Sequence, residues 1–484
     1  ALHAHILLLH STLLEQSPYI ASSLIHAYAK CGELSKAQNV LEELPVRGVV
    51  SWSALISGHT QHGQFHQALN CFERMQKEGL RGDAVTFTSI LKAYGSIGDI
   101  EKGEKLHGEI ASRGLLEKNI VLGNALVYMY AKCGMLAKAK QVLIELPARN
   151  IVTWSSLIAG YAQQGQGHEA LECFTRMQRE GISPNEVTLV CILKACGSIR
   201  AFDKGTQIHD EIANKRFLDK DIVLGTTLVD MYAKCGALVK AKQVFDELSD
   251  RNIVSWSVII SGYTQHGQGE EALKCFEQMQ REGLTPNVII FTCILKACGI
   301  TKDIDKGIEI HEKIVGKGWL GKDIMLGNAL ADMYVKCDEL TKAQKVLYEL
   351  PERDVVSWSI LIAGLTQHGQ GEETLYSFEQ MQREGISPNP VTFACILKAC
   401  GSVGDMKKGK EIHGEIVKRG LLENDVVLGT ALVDMYAKFG DLTKAHELLE
   451  NMPVRNVVSW SALITGYSQQ GQNEEALKCF DKMQ

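Results

Sequence analysis

The chain has 484 residues, a formal net charge of -6, 45% hydrophobic and 22% charged residues. That length is too great for one compact core and asks for several domains or an extended array, while no apolar run approaches the ~20 residues of a membrane helix. A net negative charge excludes a global basic field, so any nucleic-acid partner would have to be held by local rows of Lys and Arg.

In chain order, residues 1–17 read as the tail of a repeat and 18–48 as a first complete helical hairpin. From there the sequence is periodic: Trp52, Trp154, Trp256, Trp358 and Trp460 follow one another at intervals of 102 residues. Three phrases alternate inside that interval, "IVTWSSLIAGYAQQG" from Ile151, "EVTLVCILKACGSIR" from Glu186 and "IVLGTTLVDMYAKCG" from Ile222. In the first, Trp154, Leu157, Ile158 and Tyr161 fall at i, i+3, i+4 and i+7, one face of a helix A. A second periodic stretch follows each Gly-containing break; after Gly167 the expected stripe of helix B is Ala170, Leu171, Phe174 and Met177. Gly181 then supplies a C-cap and Pro184 a stop.

The hairpins are therefore 151–185, 186–221 and 222–252, a first, second and third type of 35, 36 and 31 residues. Thirteen complete hairpins span 18–456, with 49–150, 151–252, 253–354 and 355–456 as successive superunits, and 457–484 is a truncated hairpin of the first type. A lone hairpin cannot bury its apolar face, so neighbours must stack. The expected fold is all-α, an α-solenoid superhelix of helix-turn-helix repeats. The chain starts at Ala1 with no recognisable targeting peptide and stops inside a repeat, so it is expected to be a piece of a longer protein.

Comparison among copies disposes of several chemical leads. The sequence has 14 cysteines, but Cys31, Cys133, Cys235 and Cys337 are replaced by Phe439 in the fifth copy, and Cys196, Cys298 and Cys400 correspond to Tyr94. These positions read as packing sites in a reducing compartment, with neither metal nor disulfides. "HGE" at His107 and His413 matches half of a zinc-deaminase signature, yet there is no Cys-x-x-Cys to complete it, and the row continues as His209 and His311 in other contexts. His62, His266 and His368 become Gln164 and Gln470 elsewhere and read as polar helix ends. No nucleophile, metal or phosphate-loop constellation remains; the expectation is a non-enzyme with no cofactor, no small-molecule substrate and no membrane.

Two positions vary among otherwise similar copies and are candidates for reading something variable. The first is position five of helix A: Ser53, Thr88, Asn124, Ser155, Val190, Thr226, Ser257, Thr292, Asn328, Ser359, Ala394 and Thr430. The second is the residue closing each hairpin: Asp83, Asn119, Asn150, Asn185, Asp221, Asn252, Asn287, Asp323, Asp354, Asn389, Asp425 and Asn456. Asn and Asp are also the usual N-caps, and one side chain can serve both purposes. Position two is apolar throughout: Tyr19, Val50, Val85, Val121, Val152, Val187, Val223, Val254, Ile289, Met325, Val356, Val391 and Val427, either stacking partners for a flat ligand or the start of the helix core. Lys30, Lys132, Lys234, Lys336 and Lys438 recur near the end of helix A, where a cation suits either a phosphate or the helix C-terminus.

The three alternating lengths, "GISPN" closing the first type, "GKEIHGEIVKRGLLEND" in the second and "ALVDMYAKFGDLTKAHELLENMPVRN" in the third resemble pentatricopeptide repeats of the P, L and S types, over the whole chain. The resemblance implies sequence-specific single-stranded RNA binding with one base per repeat, in a chloroplast or mitochondrion, as the site-selecting part of a C-to-U editing factor with other editing-complex proteins as partners. It places the base-reading pair at position five and the closing residue, clamps bases with position two, and assigns the lysine row to phosphates. Asn offers an amide donor to adenine N1, while Asp, acceptor-only when ionised, suits the N–H edge of guanine or uracil. By the family's pairing rules the twelve pairs imply G, A, pyrimidine, A, unspecified, A, A, G, U, A, unspecified, A. A tetratricopeptide-like protein scaffold and an RNA stability or processing factor without editing are the alternatives.

Overall fold

The computed structural model describes residues 18–117, 119–214, 221–422 and 425–483. The partial repeat expected at 1–17 lies outside them. The described residues form 28 α-helices and no strand, divided between two compact units, 1–250 and 251–484, each holding fourteen of those helices.

Helix A begins at Val49, Ala84 and Ile120 in one stretch of the chain and at Ile151, Glu186 and Ile222 in the next. An Asn or Asp stands at the N-cap of each of these except Val49, which follows Gly48. In the third type helix B is only ten residues, as in Leu136–Glu145, against thirteen in Gly167–Arg179. It stops where Leu146 turns extended ahead of Pro147, whose ring disfavours helical backbone before it.

Within each unit helix A packs against the A helices of both neighbouring hairpins, and helix B against its own A helix and the next. In each unit the A helices thus form one layer and the B helices a second. Trp154, Leu157, Ile158 and Tyr161 are all buried, as are Ala170, Phe174 and Met177, each large apolar side chain contributing ~1.5–3 kcal/mol. The expected stripe is corrected at one place: Leu171 is only half-buried and Cys173 takes the core position. Gly160 is where neighbouring A helices approach, since an added Cβ would lie 2.8 Å from the Ala131 Cβ.

The cysteine expectation is corrected in part as well. All 14 are free thiols, and Cys196, Cys298 and Cys400 are buried, but Cys133, Cys235 and Cys337 are half-buried and Cys31 is exposed. Cys133 and Cys337 lie over the Tyr94 and Cys298 carbonyls, 39 residues earlier.

The tryptophans carry a polar function that the apolar pattern hides. Trp52, Trp154, Trp256 and Trp358 are buried, and each donates its indole N–H to a glutamate at the end of its hairpin's helix B: Glu78 at 3.0 Å, Glu180 at 3.1 Å, Glu282 at 3.2 Å and Glu384 at 2.9 Å. Arg47, Arg149, Arg251 and Arg353 pair with the same four carboxylates. Arg47 also donates to the Leu41 and Glu42 carbonyls, closing the C-terminus of the preceding helix B. The clamps at Arg47, Arg149 and Arg353 therefore each tie a third-type hairpin to the first-type hairpin after it, while that at Arg251 lies wholly within the second unit.

Candidate nucleic-acid interface

Helical geometry sets what the A layer exposes. With the core tryptophan at position four, position two lies about 200° away around the helix, and positions five and nine fall within about 60° of position two. The residues at position two are accordingly on the surface: the row from Val50 to Val427 runs from 48% exposed at Val356 to 69% at Met325, and Tyr19 is 85% exposed. They do not begin the core. An exposed apolar side chain repeated once per hairpin has no use in the stacking of the repeats themselves.

The closing residues described with helix A are N-caps. Asp83 Oδ1 accepts from Thr86 N at 2.8 Å, Asn185 Oδ1 from Thr188 N at 3.0 Å and Asp354 Oδ1 from Ser357 N at 2.8 Å. Asn119, Asn150, Asp221, Asn252, Asn287, Asp323, Asn389, Asp425 and Asn456 likewise accept from backbone N–H groups of their helices. Capping consumes one side-chain oxygen. It leaves the second atom, an amide donor in Asn and an oxygen acceptor in Asp, for something else.

Position five meets that cap in several hairpins. Ser53 donates to Asp83 at 3.1 Å, Asn389 to Ser359 at 3.1 Å and Asn328 to Asp354 at 3.3 Å. Ser155 reaches Asn185 through Thr188, at 2.6 and 2.8 Å. Elsewhere the hydroxyl turns back to its own helix: Thr88, Ser257, Thr292 and Thr430 each donate to the carbonyl four residues earlier. Val190 and Ala394 are half-buried. Two of the serines beside the tryptophans are less open than a groove-facing residue should be: Ser53 and Ser155 are buried, at the floor of the face, whereas Ser257 and Ser359 are half-buried and Ser461 is exposed. Thr226 and Asn252 belong to different compact units.

Among the described residues, two polar atoms at position five are buried without a partner, Asn124 Oδ1 and Thr226 Oγ1. Such atoms cost about 1–3 kcal/mol each, a cost that a ligand's donor would relieve. Asp354 is poised differently: burial raises its pKa, but hydrogen bonds from the Ser357 backbone and hydroxyl and from Asn328 outweigh it, so the carboxyl sits below its usual range. It is an ionised acceptor at neutral pH.

The rows meet in a cleft of each unit. In the first unit a cleft of 290 Å³ is lined by Val85, Thr88, Lys92, Asn119 and Val121. In the second a cleft of 590 Å³ is lined by Val427, Thr430, Asn456 and Val458, with Lys398 and Lys438. Both bring together a candidate pair of position five and closing residue, the position-two side chains of two successive hairpins, and lysine.

The lysine row at helix A ends is exposed throughout and mostly neutralised. Lys234, Lys336 and Lys438 pair with Asp230, Asp332 and Asp434 at 2.7, 2.7 and 2.8 Å, and Lys132 donates to Gln163 at 3.3 Å. A second row was missed in the sequence: Lys92, Lys194, Lys296 and Lys398, all exposed. Its signal was available, because each stands seven residues after a position-two side chain.

The histidines are structural. His107, His209, His311 and His413 share a hydrogen bond through Nδ1 with the hydroxyls of Tyr130, Tyr232, Tyr334 and Tyr436, at 2.8–2.9 Å, and no metal-holding group of three or more His, Cys, Asp or Glu occurs among the described residues. Burial lowers the pKa of all four from 6.5. A group harder to protonate when folded stabilises the fold fully above its unfolded pKa, and that stability is lost as pH falls towards the folded value. The melting temperature is therefore expected to drop as the pH falls through about 6.5 towards the lowered folded value. Replacing the four histidines with Gln should flatten that limb of the pH profile; an unchanged profile would show that these rings do not set it.

An all-α array of capped hairpins, with polar and apolar rows recurring along the A helices, is a helical-repeat protein. Models of the PPR repeat family match residues 47–96, 149–198, 251–300 and 353–402, and models of the PPR repeat match 19–49, 85–115, 124–151, 226–253, 391–421, 430–457 and 458–484. A chloroplastic pentatricopeptide repeat-containing protein of Arabidopsis thaliana is 36% identical over 471 residues, 97% of this chain and 76% of that protein. A mitochondrial one from the same plant is 35% identical over 462 residues, 95% of this chain but only 45% of that protein. The crystal structure of the pentatricopeptide repeat protein PPR10 from maize superimposes with a TM-score of 0.61 at 20% identity, covering 96% of this chain and 73% of that one; PPR10 in complex with an 18-nt psaJ RNA element gives 0.55 at 16%, covering 96% and 78%. The chain belongs to the pentatricopeptide repeat family, which removes the tetratricopeptide-like alternative.

Proposed function

We propose that this chain binds single-stranded RNA along its layer of A helices, reading one base per hairpin with position five and the closing residue. The observation that carries the reading is the cleft of the second unit, which Thr430 and Asn456 line together with the exposed side chains of Val427 and Val458. Two apolar side chains one hairpin apart can sandwich a flat base, and the polar pair lining the same cleft meets its edge. The RNA bound by PPR10 supports the same ligand class. Splayed bases are required, so affinity for a single strand should far exceed that for the duplex of the same sequence. Fluorescence anisotropy with both forms tests this, and equal affinity would refute the reading.

The alternation of three hairpin types supports a narrower assignment, to the PLS subfamily and to site selection for C-to-U editing in a chloroplast or mitochondrion. RNA crosslinked to the protein in the organelle should then carry an edited cytidine beside the bound stretch. Bound transcripts with no edited site would assign it to RNA stability or processing instead.

A further inference from the structure

The protein is acidic overall, with a net charge of -6, so the cations that meet a polyanion must be identifiable one by one. The lysines at the ends of third-type A helices are poor candidates where an aspartate one turn earlier holds them, as at Lys234, Lys336 and Lys438. A tethered ammonium must give up that partner before it can release bound counterions.

Lys92, Lys194, Lys296 and Lys398, on the second-type A helices, are different. Each is exposed, and among the described residues none forms a hydrogen bond or ion pair with an acidic group. Each follows the position-five residue by four and the position-two residue by seven, so all three share one helix face. Lys92 and Lys398 line the two clefts in which the reading pairs and apolar side chains meet.

The two lysine rows are also neighbours in space. Three residues beyond each second-type lysine stands a glycine, and the stem of the third-type lysine crosses it. A Cβ on Gly197 would come within 3.2 Å of Lys234 Cδ, one on Gly299 within 3.0 Å of Lys336 Cδ, and one on Gly401 within 3.2 Å of Lys438 Cδ. The missing side chain is what lets the tethered lysine lie flat against the helix that carries the unpaired one.

We infer that Lys92, Lys194, Lys296 and Lys398 hold the phosphodiester backbone of the bound single strand, one contact per 102 residues, while the Asp-tethered lysines serve mainly to close their helices. This rests on the RNA reading above and assigns its electrostatic component to residues outside the base-reading pairs. An unpaired exposed ammonium exchanges only water and counterions for a phosphate, and the released ions make binding salt-dependent.

The test uses the whole chain and one labelled single-stranded RNA, with affinity measured between about 50 and 200 mM KCl. Single-strand contacts contribute a slope of about 0.7 each in log K against log salt, so changing all four lysines to Ala should remove about 2–3 units of slope. The matched variant Lys132→Ala, Lys234→Ala, Lys336→Ala, Lys438→Ala should lose clearly less. A Lys→Gln set replaces the Ala set if the latter melts earlier than wild type, and Lys→Arg at the four positions should restore the slope. Wild-type protein that binds no single-stranded RNA overturns the function reading. Wild-type protein that binds, with a slope left intact by the fourfold change or reduced more by the matched variant, overturns this inference alone.

Discussion

With Asn185 replaced by Asp, the base preferred at one nucleotide is expected to move from adenine to guanine, with the rest of the site unchanged. Asn185 Oδ1 is already committed, accepting from Thr188 N at 3.0 Å and from its hydroxyl at 2.8 Å. An aspartate can keep both bonds, because Asp83 makes the same pair with Thr86 at 2.8 and 2.7 Å. The exchange therefore alters only the second terminal atom, an amide donor becoming a carboxylate acceptor. A donor there satisfies adenine N1, whereas an acceptor satisfies the N–H edge of guanine. The mismatched combination leaves a polar group unpaired, for a discrimination of about 1–3 kcal/mol. Four RNAs differing only at that nucleotide, measured against both proteins, decide the matter. If both rank the four identically, Asn185 is a helix cap and nothing more.

The same residue shows how far the sequence could be read. The hairpins were legible because the apolar spacing of Trp154, Leu157, Ile158 and Tyr161 is a local property of one helix, repeated at a fixed interval. Variation among copies pointed to position five and the closing residue, and the structure adds that capping and a free second atom coexist in one side chain. Val152 was ambiguous, since an apolar residue in the first turn of a helix usually begins its core; only its angular distance from Trp154 tells that it faces outward, and it is 52% exposed. Lys92 escaped notice because a cation was sought at helix ends, where the dipole draws it, rather than on the face shared with Val85 and Thr88. The pairing of Lys234 with Asp230 was within reach at i, i+4. The burial of Ser53 and the hydrogen bonds between tryptophan and glutamate were not, because they join residues 26 or more apart through packing that no periodicity encodes.

That tryptophan bond gives the largest expected effect on stability. Trp358 is fully buried, so Trp358→Ala should destabilise the protein by ~3–5 kcal/mol through lost contacts and the cavity left behind. Trp358→Phe keeps most of the apolar volume and removes the donor, so its cost should be much smaller. The informative change is Glu384→Ala: it strands the indole N–H, 2.9 Å from Glu384 Oε2, and frees Arg353, whose hydrogen bond is the main cause of the lowered pKa of Glu384. An orphaned buried donor costs about 1–3 kcal/mol, well above the 0–1 kcal/mol of an exposed ion pair. Two-state logic then separates the terms through a double-mutant cycle. In the Trp358→Phe background there is no N–H to strand, so Glu384→Ala should cost only the ion pair. Chemical denaturation of the four proteins measures the coupling. A cost for Glu384→Ala that is the same with Trp or Phe at position 358 would mean that the indole hydrogen bond contributes nothing, and that the tryptophan recurs every 102 residues for its volume alone.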